Sequence, residues 1–390
     1  MKQHDFGIAG YAEIPNRFKT GRSAYDLAGE ALAALAQSTG IRIEDIDGLS
    51  VTAALSEGTN PFYAAYMCEA LGITPTWLHL SGIGGCSALS GIMRAIAAVR
   101  DGDCRIAVVL SADAPSTAYR ADFGAQRPEF QEPQAAARPP AAFGLLMSRY
   151  AHQYGLDEKA LAKVAMVQRD HAVLNDNALP KLRKPLSMDE YLGSRTIADP
   201  LRILDSVMFC DGANAFLVTS RSEAKNLGLS GFAVPLAYAE LTNFNGRDPL
   251  PDITCNGFSD VGGRLFQKAG MKPADIRMFQ PYDDFTIAVQ MQCEALGFCE
   301  TGKGARFILD TDLSFDGKLP LNTGGGQISA GQPGLAGGGL NLAEAVRQLF
   351  GQAGARQVSD PSNALVTGIG VIPYGRNWST SAAMILEASQ

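Results

Sequence analysis

Apolar residues recur at helical spacing along residues 24–37. Leu27, Ala28, Ala31, Leu32 and Leu35 line one face. Ser23 precedes the run as an N-cap and Gly40 closes it, so a helix is predicted there. Before it lies a short apolar segment, 6–14. After it, 46–54 reads as a strand, 61–71 as a helix, 77–80 as a short strand and 87–100 as a helix. The run R-I-A-V-V-L at 105–110 has the composition of a buried strand. Alternating strands and helices predict an α/β fold around a mainly parallel sheet.

Residues 113–142 break the pattern with Pro115, Pro128, Pro133, Pro139 and Pro140. Helical spacing returns at 143–154 and 158–174, and A-N-A-F-L-V-T at 213–219 is again a strand. The block 113–205 therefore reads as an insertion between core strands, of the kind that shapes a substrate mouth. The second half repeats the plan: strands at 232–238, 276–280, 364–370 and 382–386, with helices at 257–270, 284–296 and 340–350. The order of elements suggests an internal duplication.

The chain has 390 residues, 46% apolar and 19% charged, enough to bury a large core. Lys and Arg number 33 against 40 Asp and Glu, a net charge of −7 with no long like-charged run. That disfavours nucleic acid, whose footprint is basic and clustered. No apolar stretch reaches the roughly 18 residues of a membrane span, and no signal-like N-terminus is visible; a cytoplasmic protein is expected. Seven cysteines without a C-x-x-C pair argue against a disulfide framework or a zinc ribbon, and no metal is expected. The four histidines are His4, His79, His152 and His171, so a histidine from the C-terminal half cannot take part.

Four segments could carry chemistry. Gly84-Gly85-Cys86-Ser87 sets a cysteine at a strand-to-helix turn, where the helix dipole and free N–H groups would favour a thiolate nucleophile. A small buried core cysteine is the plainer alternative. Tyr282-Asp283-Asp284-Phe285 follows a short strand, a usual ligand position in open α/β sheets, and could move protons. The alternative is that an aspartate caps the next helix. The glycine-rich stretch from Asn322, with Gly325, Gly326, Gly331 and Gln332, has no P-loop ending but could bind an oxyanion through inward N–H groups. Thr367-Gly368-Ile369-Gly370, followed by Tyr374 and Arg376, is either a site loop or a packed turn around Trp378.

In this order the four segments resemble the thiolase superfamily, in the branch of sterol-carrier-protein-type thiolases and their thiolase-like relatives. Asp211-Gly212-Ala213 and the helix containing Glu344-Ala345-Val346-Arg347 add to the likeness, which covers essentially the whole chain. The resemblance implies a five-layer αβαβα arrangement of two related α/β halves, 1–225 and 230–390, with 113–205 as a cap. It also implies a homodimer and a coenzyme A thioester ending near Cys86, with Gly325, Gly326, Gly331 and Gly370 around it. The departures are specific. The family's Gly-His-Pro reads Gly331-Gln332-Pro333, its second cysteine is absent from Thr367-Gly368-Ile369-Gly370, and the histidine of its His-Asp turn is Tyr282. Gln332 can donate a hydrogen bond but cannot take a proton.

Three functions remain in view. The first is acyl transfer through Cys86, with Gln332 holding the oxyanion and Tyr282 or Asp283 moving the proton. The second is retro-aldol cleavage of a 3-hydroxyacyl-CoA by Tyr282 and Asp283, in which thiolase-like aldolases work with a separate small OB-fold, zinc-ribbon partner. The third is a non-catalytic acyl-CoA-binding subunit. Acyl transfer ranks first on sequence, although a helix terminus offers only about 0.3–1 kcal/mol toward thiolate formation.

Overall fold

The computed structural model describes residues 5–58, 60–120, 139–248, 252–370 and 378–389. The first half runs β1 (Phe6–Glu13), α1 (Ala24–Thr39), β2 (Gly48–Thr52), α2 (Tyr63–Leu71), β3 (Trp77–Ser81), α3 (Ser87–Asp101) and β4 (Ile106–Asp113). The insertion carries α4 (Pro139–Tyr154), α5 (Glu158–Val173), α6 (Met188–Leu192) and a small ribbon, β5 (Thr196–Ala198) with β6 (Leu201–Arg202). The chain returns to the core at β7 (Gly212–Ser220). The second half holds α7 (Arg221–Asn226), β8 (Ala233–Thr242), α8 (Phe258–Ala269), β9 (Phe279–Gln280), α9 (Thr286–Ala295) and α10 (Gly304–Asp310). It ends with α11 (Gly326–Ala330), α12 (Gly337–Leu349), β10 (Asn363–Ile369) and β11 (Thr380–Ala388).

The helix signals hold locally. Ser23 and Asp26 close a reciprocal capping box on α1, and Gly40 ends it in the left-handed conformation. Two elements differ from expectation. The glycine-rich stretch is not all loop: it contains α11, and three glycines open α12. The sheet is also mixed, not mainly parallel. Its order is β3-β2-β4-β7-β1-β8-β11-β10-β9. Only β2–β3, β2–β4 and β9–β10 run parallel among the described strands, where helical crossovers return the chain in the same sense. The insertion brings β7 back antiparallel to β4, and β1 pairs antiparallel to β7.

Among the described residues, the two halves of the sheet pair at Ile8 and Ala233. Between them lie α3 and α12, packed on each other and on strands of both halves. All thirteen residues of α12 are buried, as a helix between two sheets requires. The apolar stripe of α1 covers the outer face of the first half, and α8 covers β8 and β11 of the second. The layers run α, β, α, β, α. No helix of the described residues is long and apolar enough to cross a membrane. Of the proline-rich excursion, 121–138 lies outside the described residues.

A buried charge cluster ties these layers together. Glu344 on α12 takes Arg347 at 2.6 Å and Arg356 at 2.9 Å, and also accepts from Thr323 and Gln348. Arg347 reaches on to Glu13 at the end of β1, at 2.5 Å. Burial opposes the Glu344 charge, but the two guanidinium groups outweigh it and hold the carboxyl down at about 2. A carboxyl so depressed stabilises the fold above its unfolded value, by roughly 3 kcal/mol, and loses that as pH falls from about 4.5 toward 2. Glu344→Gln takes the carboxylate away from buried Arg356 and leaves Arg347 to Glu13. We expect it to lower unfolding free energy in urea at pH 7 by about 3–5 kcal/mol. The gap to wild type should narrow as the titration is repeated at lower pH.

Candidate active site

The centre of the molecule is built from backbone packed on backbone. A Cβ on Gly84 would fall 1.5 Å from the Gly370 carbonyl oxygen. One on Gly338 would lie 2.2 Å, and one on Gly368 2.6 Å, from the Gly85 carbonyl oxygen. Gly84 also holds φ +61, a conformation that favours glycine. The start of α3, the end of β10 and the start of α12 therefore converge on one turn. On its remaining side lies Tyr282, whose ring would stand 2.0 Å from a Cβ on Gly85.

Cys86 does begin α3, as expected, but it is sealed in. Its exposure is 0%, and its Sγ points to the Thr380 carbonyl oxygen at 3.5 Å. Burial pushes the thiol well above its ordinary value, and the Glu240 charge adds to that. Burial thus works against the thiolate that the helix terminus would favour.

Tyr282 is held by its backbone. Its N–H donates to Thr367 Oγ1 at 2.8 Å, and its carbonyl accepts from Gln292 at 2.8 Å. Its hydroxyl accepts from Gln332 Nε2 at 3.3 Å. The same Gln332 nitrogen donates to Gln327 Oε1 at 3.2 Å, which fixes the amide's orientation. Burial, then the Asp284 charge, raises the Tyr282 phenol well above its usual range, so it stays protonated and can act as a donor.

Asp283 plays a different part from the expected one. It is fully buried and accepts four hydrogen bonds: Gln327 N–H at 3.0 Å, Ile328 N–H at 3.2 Å, Gln168 Nε2 at 3.0 Å and Asn341 Nδ2 at 3.1 Å. It thus caps α11, forty residues downstream, and neither aspartate caps α9, whose N-cap Phe285 has no side-chain cap. Burial still raises Asp283 to about 7. Asp284 is the unengaged carboxylate. Its Oδ1 is buried with no hydrogen-bond partner, and burial followed by the Asp283 charge raises it to about 8. Only its own N–H and that of Phe285 act to lower it. No signal in the sequence separates these neighbours, since the donors come from distant segments.

The structure thus brings Cys86, Tyr282 and Gln332 to one place, with Asp284 beside them. All of these side chains are buried: Tyr282, Asp284 and Gln332 keep 5%, 6% and 6% exposure, and Cys86 and Asp283 keep none. On the glycines expected around coenzyme A, the side on which a Cβ would stand is filled by protein. Gly325 abuts Ala172, Gly326 abuts Asp283, Gly331 abuts the Cys210 sulfur and Gly370 abuts Thr380. Tyr374 and Arg376 lie outside the described residues. A histidine does reach the C-terminal half from the insertion: His171 Nδ1 lies 3.2 Å from the Asn322 carbonyl oxygen. Burial pushes this imidazole down and keeps it neutral.

Comparison with known proteins agrees with this picture. Residues 243–388 match the family described as thiolase C-terminal domain-like. A steroid side-chain-cleaving aldolase of Thermomonospora curvata is 31% identical, over 94% of this chain and 96% of its own. The 17-hydroxy-3-oxo-4-pregnene-20-carboxyl-CoA lyase of Mycobacterium tuberculosis is 30% identical, over 94% and 97%. Among solved structures, an Ltp2-ChsH2(DUF35) aldolase superposes with a TM-score of 0.84 at 29% identity, covering 99% of this chain and 98% of that one.

The burial of Cys86 has a direct readout. With iodoacetamide at pH 7.5, peptide mapping should find exposed Cys255 alkylated while Cys86 in the folded protein reacts on the order of 100-fold more slowly. Rapid labelling at Cys86 would restore it as a nucleophile.

Proposed function

This chain belongs to the thiolase superfamily, in its sterol-carrier-protein-type branch, and we propose that it cleaves a 3-hydroxyacyl-CoA by retro-aldol chemistry. The observation that carries this reading is the contrast in surroundings. The sulfur that acyl transfer needs is closed off and burial opposes its thiolate, while the Tyr282 phenol and the Gln332 amide are hydrogen-bonded to each other with the Asp284 carboxyl nearby. Acyl transfer through Cys86 also lacks its base, because an amide stands at position 332.

Retro-aldol cleavage needs a base for the β-hydroxyl proton and donors for the thioester enolate. As the proton leaves, the Cα–Cβ bond breaks, the β-carbon becomes a carbonyl, and the electron pair enters the enolate. A proton returned to Cα completes the shortened acyl-CoA, so protons balance. The Gln332 amide N–H and the Tyr282 phenol are suited to the enolate oxygen, since both donors are held in place before substrate arrives. Asp283 serves the reaction by holding α11, which carries Gln327 and so orients Gln332.

The names of the two relatives support a bulky steroid-type acyl group, and the two-component name of the structural neighbour supports a separate partner chain. We take that partner to be the small OB-fold, zinc-ribbon protein implied by the resemblance. A homodimer is part of the same proposal: β3 is an edge strand with Leu78 and Leu80 43% and 38% exposed. So is the division into halves at 225–230 with 113–205 as the cap.

The test is cleavage of a steroid 3-hydroxyacyl-CoA by the chain with its partner, followed by mass spectrometry of both products. Tyr282→Phe should lower kcat by about 10²–10⁴-fold. Cys86→Ala should stay within a few-fold of wild type. A covalent acyl adduct on Cys86, lost in Cys86→Ala, would instead establish acyl transfer.

A further inference from the structure

Two neighbouring buried carboxyls are treated in opposite ways. Asp283 accepts from two backbone N–H groups and two side-chain amides. Asp284 receives no side-chain donor and has a buried oxygen with no partner at all. Native interiors leave few polar atoms in that state, and those that remain ask for an explanation. Looseness is not the explanation. The Asp284 carbonyl accepts from Val207 N–H at 3.2 Å, and the next side chain, Phe285, stacks on Phe143 with centroids 4.0 Å apart. The carboxyl is held in place without being engaged, and it is the strongest charge acting on the Tyr282 phenol.

We propose that Asp284 is the catalytic base of this site, taking the β-hydroxyl proton of the substrate and returning it to Cα. This rests on the retro-aldol reading above. The substrate hydroxyl supplies the partner that Oδ1 lacks. Its proton passes to the Asp284 carboxylate, the Cα–Cβ bond breaks, and the electron pair enters the thioester enolate. The Asp284 carboxyl then gives the proton to Cα and is a carboxylate again. No oxidant, reductant or net proton is consumed.

The groups facing Asp284 set its behaviour. From its own turn these are Tyr282 and Asp283. Cys86 at the start of α3 stands next to Tyr282, and from the insertion Asp205 binds the adjoining Thr286 hydroxyl. No cation is among the main causes of the shift at either aspartate. When Asp283 ionises on its four donors, a second charge beside it is disfavoured, so Asp284 keeps its proton to about 8. The carboxylate is the competent form of a base. Activity limited by it therefore rises with pH and levels off above about 8.

The experiment is the pH profile of kcat from 6 to 9.5, with partner and a steroid 3-hydroxyacyl-CoA, for wild type, Asp284→Asn and Asp284→Glu. Wild type should gain close to tenfold per pH unit on the acid limb. Asp284→Asn should lose at least about 100-fold at pH 8 and lose the limb, while Asp284→Glu should keep a limb at a shifted position. Melting is measured alongside. Removing a buried carboxyl raised above its unfolded value should leave Asp284→Asn as stable as wild type or more so at pH 8. Should Asp284→Asn melt early, the displaced limb of Asp284→Glu carries the test, and an undisplaced limb there refutes it. An Asp284→Asn enzyme with wild-type rate and profile overturns the proposal while leaving retro-aldol cleavage standing. A wild-type enzyme that cleaves no such thioester refutes the retro-aldol reading itself.

Discussion

Everything at the centre of this protein depends on how closely three backbones approach at Gly85. Its carbonyl oxygen lies so near Gly338 and Gly368 that a single methyl on either would collide with it. Glycines are required there by contact between layers, whatever ligand the site takes. The same closeness shuts the Cys86 sulfur between α3 and β11 and leaves one free side of the turn, which the Tyr282 ring occupies. One steric constraint thus removes a nucleophile from reach and sets a phenol in position.

Electrostatics then divides scaffold from site. Glu344, Asp283 and Asp284 are all buried carboxyls, and each meets the cost of burial differently. Glu344 is answered by two guanidinium groups and stays ionised far into acid. Asp283 is answered by four dipoles, enough to organise α11 but not to cancel desolvation. Asp284 has no side-chain donor, and burial followed by the Asp283 charge raises it further, to about 8. Strong pairing makes a rigid joint, whereas incomplete pairing keeps a group available for a ligand.

How legible this was depended on the range of the interaction concerned. The α1 helix could be read in full, because its cap, apolar stripe and terminating glycine are all local. The α/β class followed from the alternation of elements and the layer order from the family resemblance, but strand direction followed from neither, since β7 returns only after the insertion. Cys86, Tyr282 and Gln332 were visible as turn residues in an unusual setting, and they do converge. Their condition was not visible. The Thr380 carbonyl and Glu240 beside Cys86 lie more than 150 residues away along the chain. Asp283 and Asp284 are identical in type and adjacent, and only the arrival of Gln327, Ile328, Gln168 and Asn341 on one of them tells them apart.

The amide at position 332 connects these observations to the chemistry. A histidine there could carry positive charge while a thiolate or enolate forms; Gln332 can offer only a dipole. No cation is among the main influences on Asp283 or Asp284, so this interior gains little from creating a new pair of charges. Proton transfer from a substrate hydroxyl to Asp284 avoids that step. One negative charge moves from the carboxylate to the enolate oxygen, where Tyr282 and Gln332 can donate to it, and then returns. The total charge in the site stays constant throughout, so the desolvation borne by Asp284 in the resting protein is not added again at the transition state. A buried, unpaired carboxylate beside two neutral donors is a poor design for a cysteine-based acyl transfer. It is a coherent one for breaking a carbon–carbon bond through an enolate.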